Sequence, residues 1–125
     1  MLVNGQIIAR PVLTFPLLDH YGIVINAEEE LIADYGSRGK RYVSLAEFMS
    51  DKKTYKIYDS DYAKKSSASL RTKFDSLEDR PFSWLHHNCV QFMRHFGRPD
   101  LASLEFRKFI LIILLAMAII YFAVN

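Results

Sequence analysis

The chain of 125 residues has a single cysteine, a single tryptophan, four prolines, five glycines and a formal charge of only +2. One thiol excludes a disulfide framework. Sixteen basic and fourteen acidic side chains, interspersed, make no basic patch, which argues against a nucleic-acid partner. No internal repeat or low-complexity stretch is present. About 100 soluble residues suit one small domain, which argues against a multi-domain chain. The opening MLVNGQIIARPVL has neither an apolar leader core nor a small-residue cleavage site, so secretion is not expected and Cys89 is expected in a reducing compartment.

What the chain has in quantity is hydrophobic side chains, 50% of the total, and they are unevenly spread. All sixteen residues from Phe109 to Val124 (FILIILLAMAIIYFAV) are hydrophobic, with Arg107 and Lys108 immediately before them. The remainder is about 43% hydrophobic, an ordinary globular value. The expected division is a head over 1–99 and a C-terminal helix over 100–125 with an apolar membrane anchor at 109–124. Sixteen residues rise about 24 Å, short of the roughly 30 Å hydrocarbon layer, so a span requires snorkelling flanks or a thin bilayer. The competing reading is a buried core helix, for which a small head has little room. An interfacial helix would carry a charged face, and this segment has none. Arg94, Arg98, Arg107 and Lys108 stand on the near side. By the positive-inside rule, a single-pass tail anchor with a cytosolic head is expected.

Along the head, Gln6–Ala9 is a short strand candidate closed by Arg10 and Pro11, and Pro16 makes Leu13–Leu18 a loop. His20–Ile25 (HYGIVI) is the better strand, with His20, Gly22 and Val24 on one face and Tyr21, Ile23 and Ile25 on the other. After a polar turn over Asn26–Glu30, Leu31–Tyr35 returns as its partner, ended by Gly36 and Gly39. Val43–Met49 reads as a short helix with Ser44 at the N-cap and Glu47 completing a capping box. Thr54–Tyr58 reads as a further strand. Ser66–Asp79 reads as an amphipathic helix on Leu70, Phe74 and Leu77, stopped by Pro81. Asn88–Phe96 is a second helix, capped by Asn88, burying Val90, Met93 and Phe96 and closed by Gly97. Arg98 and Pro99 break the chain, and Asp100 is expected to cap the helix that runs into the tail. The order predicts an α+β fold, a small antiparallel sheet packed with helices.

Cys89 falls at the first position of its helix, where free N–H groups and the helix dipole stabilise a thiolate. A lone cysteine is equally at home as a small buried hydrophobe, so a partner base decides between the two. His20, borne on a strand, can face a helix N-terminus and take the thiol proton. His86 and His87 lie too close before Cys89 to face the sulfur, and His95 lies around another side of the helix. A metal site from His86, His87 and Cys89 lacks a fourth ligand at usual spacing, so no metal is expected. Asp34, on the returning strand, shares a face with His20 only if the hairpin has an odd loop or a bulge.

The ordered set GQII, DHYGIVI, a polar turn, a second strand, VSLAEF, NCVQF and a hydrophobic C-terminus resembles the lecithin:retinol acyltransferase family and its phospholipase and acyltransferase relatives. This family, named H-NC for its histidine and Asn-Cys pair, is a circularly permuted relative of papain-like and NlpC-type cysteine hydrolases. The resemblance implies that fold, with Cys89 as the nucleophile that carries an acyl group as a thioester and His20 as its base. It implies no cofactor. Asp34 stands near the place where family phospholipases have a second histidine, as a candidate orienter of His20, and Val90-Gln91 replaces their Glu-His pair. Tyr21, or a backbone amide near Cys89, is the candidate for the oxyanion site. The implied activity is that of a phospholipase A1/A2 or acyltransferase on glycerophospholipids, with the bilayer as partner and a phospholipid as acyl donor. An amide-cleaving NlpC-type peptidase and a membrane adaptor with a silent site are the alternatives.

Overall fold

Short β-branched segments with period-two alternation pair into an antiparallel sheet. The computed structural model describes residues 1–12, 18–36, 38–50, 54–78 and 92–125. The strands are β1 (Ile7–Pro11), β2 (Asp19–Asn26), β3 (Leu31–Gly36), β4 (Gly39–Ser44) and β5 (Lys56–Tyr58), in spatial order β4-β3-β2-β1-β5. The described helices are α1 (Leu45–Met49), α2 (Ser67–Asp75) and the long α3 (Pro99–Val124), with a further helical turn over residues 92–95. The protein is therefore α+β, as the order of sequence patterns predicts.

Alternation sends the strand side chains to two separate cores. On one side Ile7, Tyr21, Ile23, Ala33 and Tyr35 pack against Leu70 and Phe74 of α2, Phe92, Met93 and Phe96, and Leu101 and Ala102 of α3. On the other, Ile8, Val24, Ile32 and Val43 pack against Phe48 and Met49 of α1. These are called below the α2 face and the α1 face.

Several boundaries differ from the sequence reading, each for a physical reason. β1 runs on through Arg10 and Pro11, because Arg10 pairs across the ladder with His20 and Pro11, at the strand end, faces Asp19. β4 is a whole strand that the charged segment GKRYVS concealed. It is a sheet edge, where Lys and Arg are tolerated because their heads reach partners or water. Val43 consequently belongs to β4 and not to the helix. The capping box is as expected, with the Ser44 hydroxyl accepting from the Glu47 N–H at 3.1 Å. The strand expected over Thr54–Tyr58 shortens to β5, on the outer side of β1.

α2 begins after Ser66 as its capping residue but stops at Asp75. There the Lys40 ammonium of β4 donates to the carbonyls of Asp75 (2.9 Å) and Leu77 (2.7 Å), taking up acceptors that a longer helix would use itself. Met93 and Phe96 are buried as the periodicity predicts, and Gly97 adopts a left-handed φ of +80° at the turn. Asp100 does not cap α3. Arg98 holds the capping position without a side-chain cap bond, Pro99 opens the helix, and Asp100 instead pairs with the Arg98 guanidinium at 2.8 Å.

α3 is continuous over 26 residues. Leu101, Ala102, Glu105 and Phe109 are buried in the head, so the first turns of this helix pack as part of it. From Ile110 onward its side chains are almost all exposed, which disfavours the buried-core reading of the tail. The helix is long and apolar enough to cross a membrane.

Candidate active site

The site is assembled by a β-bulge. In the β2–β3 hairpin Asn26 faces Leu31, but Val24 faces Ile32 and Gly22 faces Asp34, the register shifting by one residue at Ile25. Carried on unshifted, the turn register would set Asp34 opposite Ile23, on the face away from His20. The bulge moves it to the α1 face, one rung from His20. There the His20 Nε2–H donates to Asp34 Oδ2 at 2.8 Å, both groups being buried.

Asp34 is held from its other side by β4. Arg41, its direct cross-strand partner, donates from Nε to Oδ1 at 2.7 Å and from Nη2 to Oδ2 at 3.1 Å, a bidentate clamp. Burial pushes the Asp34 carboxyl up, but the hydrogen bonds and charges of His20 and Arg41 outweigh it and hold the group below the usual carboxylate range. An ionised carboxylate only accepts, so the proton of a neutral His20 belongs on Nε2 and its lone pair on Nδ1. Nδ1 is thus the atom that can receive a proton from a nucleophile.

Phe48 of α1 covers the pair. Its ring stacks on His20 with centroids 5.5 Å apart, and the Arg10 guanidinium lies over the same ring at 5.6 Å while its Nε donates to the Phe48 carbonyl. Gly22 makes the room. A Cβ there would come within 2.8 Å of Ile32 Cγ2 and 2.9 Å of Phe48 Cε2.

Of the site residues expected from sequence, the structure brings His20 and Asp34 together and sets Tyr21 apart. Tyr21 points to the α2 face, where its hydroxyl donates to Glu105 at 3.1 Å; burial, with Glu105 beside it, pushes its pKa far above the ordinary value. Cys89, the expected cap Asn88, Val90, Gln91, His86 and His87 lie outside the described residues, as do residues 13–17 of the segment expected to be a loop. Residues 92–96, which the sequence places in the helix expected to follow Cys89, pack on the α2 face, Phe92 against Tyr35 with ring centroids 6.3 Å apart. His95 packs edge-on to Phe96 there, away from His20. Among the described residues no three His, Cys, Asp or Glu side chains converge as a metal site requires.

Three contributors escaped the sequence reading. Arg41 was hidden with β4. Gly22 and Phe48 looked like ordinary strand and helix residues, and only their packing gives them a part in the site.

The fold and site define a class: an α+β protein whose antiparallel sheet bears on one face a buried His–Asp pair clamped by a half-exposed arginine, and whose last helix is long and apolar enough to span a bilayer. Comparison with protein-family models, with curated proteins and with solved structures gave no match.

Proposed function

We propose that the protein is a membrane-anchored, cysteine-dependent phospholipase or acyltransferase of the lecithin:retinol acyltransferase type, on a permuted papain-like fold. The observation that carries this reading is the 2.8 Å bond from His20 Nε2 to an Asp34 carboxylate kept ionised by Arg41. An imidazole so oriented offers Nδ1 as a base and becomes a stabilised cation when it takes a proton.

In the proposed reaction Nδ1 of His20 accepts the proton of the Cys89 thiol, and the sulfur attacks the ester carbonyl of a glycerophospholipid. The C–O bond breaks, the leaving lysolipid oxygen takes the proton back from His20, and the acyl group remains as a thioester on Cys89. Water or another acceptor, deprotonated by His20, then attacks the thioester and restores the thiol. The Cys89 sulfur must reach Nδ1 at the sheet end where β2 starts and β3 finishes. The anchor favours a lipid substrate, since tethering raises the effective concentration of the head at the bilayer. The basic residues before the tail favour a head on the cytosolic side.

The test incubates the full chain, in vesicles of phosphatidylcholine, and follows fatty acid and lysolipid release together with the mass of Cys89. Turnover with an acyl mass on Cys89, abolished by Cys89→Ser and by His20→Ala in folded protein, is the expected result. Faster turnover of peptide amides would give the site to an amidase. Absence of both products and of any adduct would leave the chain a membrane adaptor.

A further inference from the structure

The root of α3 carries a carboxylate that the proposed reaction does not use. Glu105 is completely buried, on the i, i+4 line of Leu101 and Phe109 that faces the head. Its Oε1 accepts the backbone N–H of Asp19 at 2.6 Å and its Oε2 the hydroxyl of Tyr21 at 3.1 Å. Lys108, one turn on, pairs with Oε2 at 2.8 Å and reaches Asp19 Oδ2 at 3.6 Å, where Lys56 of β5 approaches to 3.5 Å. Two acids and two lysines balance, so the buried carboxylate is compensated.

The two groups that Glu105 holds belong to the residues on either side of His20. Alternation sends Asp19 and Tyr21 to the α2 face and His20 to the α1 face, so a grip on both neighbours fixes the backbone that aims the imidazole. Among the described residues the β2–β3 pairing stops at Gly22 and Asp34, and the Asp19 N–H, three residues before Gly22 on β2, is taken by Glu105.

We propose that Glu105 is the positioning residue of His20, tying the strand that bears the imidazole to the root of the membrane helix. The tie itself concerns only the placement of the ring; its relevance to turnover rests on the reading above. Among the described residues, the charged groups on the ring's own side include Asp34 of β3, Arg41 of β4, Arg10 of β1 and, beside Arg41, Glu47 of α1; the Glu105 network lies through the sheet from them.

The test is proton NMR titration of the His20 ring in the full chain in detergent micelles, with unfolding temperature measured alongside. Three variants separate position from charge. Glu105→Gln loses the charge but keeps an acceptor for the Asp19 N–H, Glu105→Ala loses both, and Tyr21→Phe removes one tie with no change of charge. The expected result is His20 resonances near wild type in Glu105→Gln, displaced in Glu105→Ala with an apparent pKa moved by about half a unit or more, and displaced by a smaller amount in Tyr21→Phe. Equal shifts in both Glu105 variants, with none in Tyr21→Phe, would reduce the residue to a remote charge. An unmoved ring in all three would overturn the proposal. Should Glu105→Ala fail to fold, the neutral, near-isosteric Tyr21→Phe decides alone by moving the ring or leaving it. A displaced ring in a protein with no lipid turnover would retain the tie and sink only the proposed activity.

Discussion

His20 and Asp34 meet at 2.8 Å because Ile25 is an extra residue in β2, and a one-residue register shift is enough to exchange the faces of a strand. The pair is a stability element as well as a candidate catalytic one. Asp34→Asn leaves the shape but withdraws the charge that Arg41 and His20 share. It should cost about 2–3 kcal/mol at neutral pH, toward the low end for a broken buried pair because the Arg41 side chain is 42% exposed and can be resolvated.

The sign of its pH dependence follows from the depressed Asp34 pKa. The stability contributed by the carboxylate is fully present above the unfolded value, about 3.9, and is lost as pH falls through the lower folded value. Urea midpoints of wild type and Asp34→Asn should therefore stay apart from neutrality down to about pH 5 and converge below about pH 4. A gap that persisted undiminished far below pH 4 would mean that the carboxylate is not the source of the difference.

Gly22 is needed for space, since its φ lies outside the range that favours glycine. Gly22→Ala should lower stability by about 1–3 kcal/mol, as overpacking does, and should tilt Phe48 off the His20 ring. Combining Gly22→Ala with Phe48→Leu, which trims the opposing ring, should cost less than the two single costs added, a coupling that thermal unfolding of the three variants would detect. Strict additivity would refute the contact.

The tail was short by its apolar count, and the structure removes much of the shortfall. Leu104 and Phe106 are about half exposed, so the outward apolar surface of α3 begins before Phe109. From Leu104 to Val124 the helix rises about 31 Å, close to the thickness of the hydrocarbon layer. Lys108 is turned inward to Glu105 and Asp19, which leaves Arg107 to snorkel. The indole introduced by Phe106→Trp should be quenched by brominated lipid, and Leu115→Asp, costing about 3 kcal/mol of insertion, should shift protein from vesicles to the supernatant. Removing residues 111–125 should release a folded head, since those side chains contribute almost nothing to its core. An unquenched indole in the Phe106→Trp variant would confine the membrane contact to 109–124.

Much of this molecule follows from local pattern. The alternation of HYGIVI, the Ser44–Glu47 capping box, the Leu70–Phe74 spacing and the unbroken apolar tail each depend on a few neighbouring residues, and each predicts an element that is present in the described structure. β4 escaped because its charges are made tolerable by non-local partners: Asp34 for Arg41 and the end of α2 for Lys40. Glu105 left one legible trace, an acid on the apolar line between Leu101 and Phe109, but its partners lie more than eighty residues away.

The sequence alone therefore determined the α+β order, the apolar helix and the candidate residues His20, Asp34 and Cys89. Tertiary structure decided which of them can meet. A bulge at Ile25 turned Asp34 toward His20, while alternation turned Tyr21 away to Glu105. The physical reason is the same in both cases: periodicity specifies that two faces exist, and only the register between strands specifies which side chains share one.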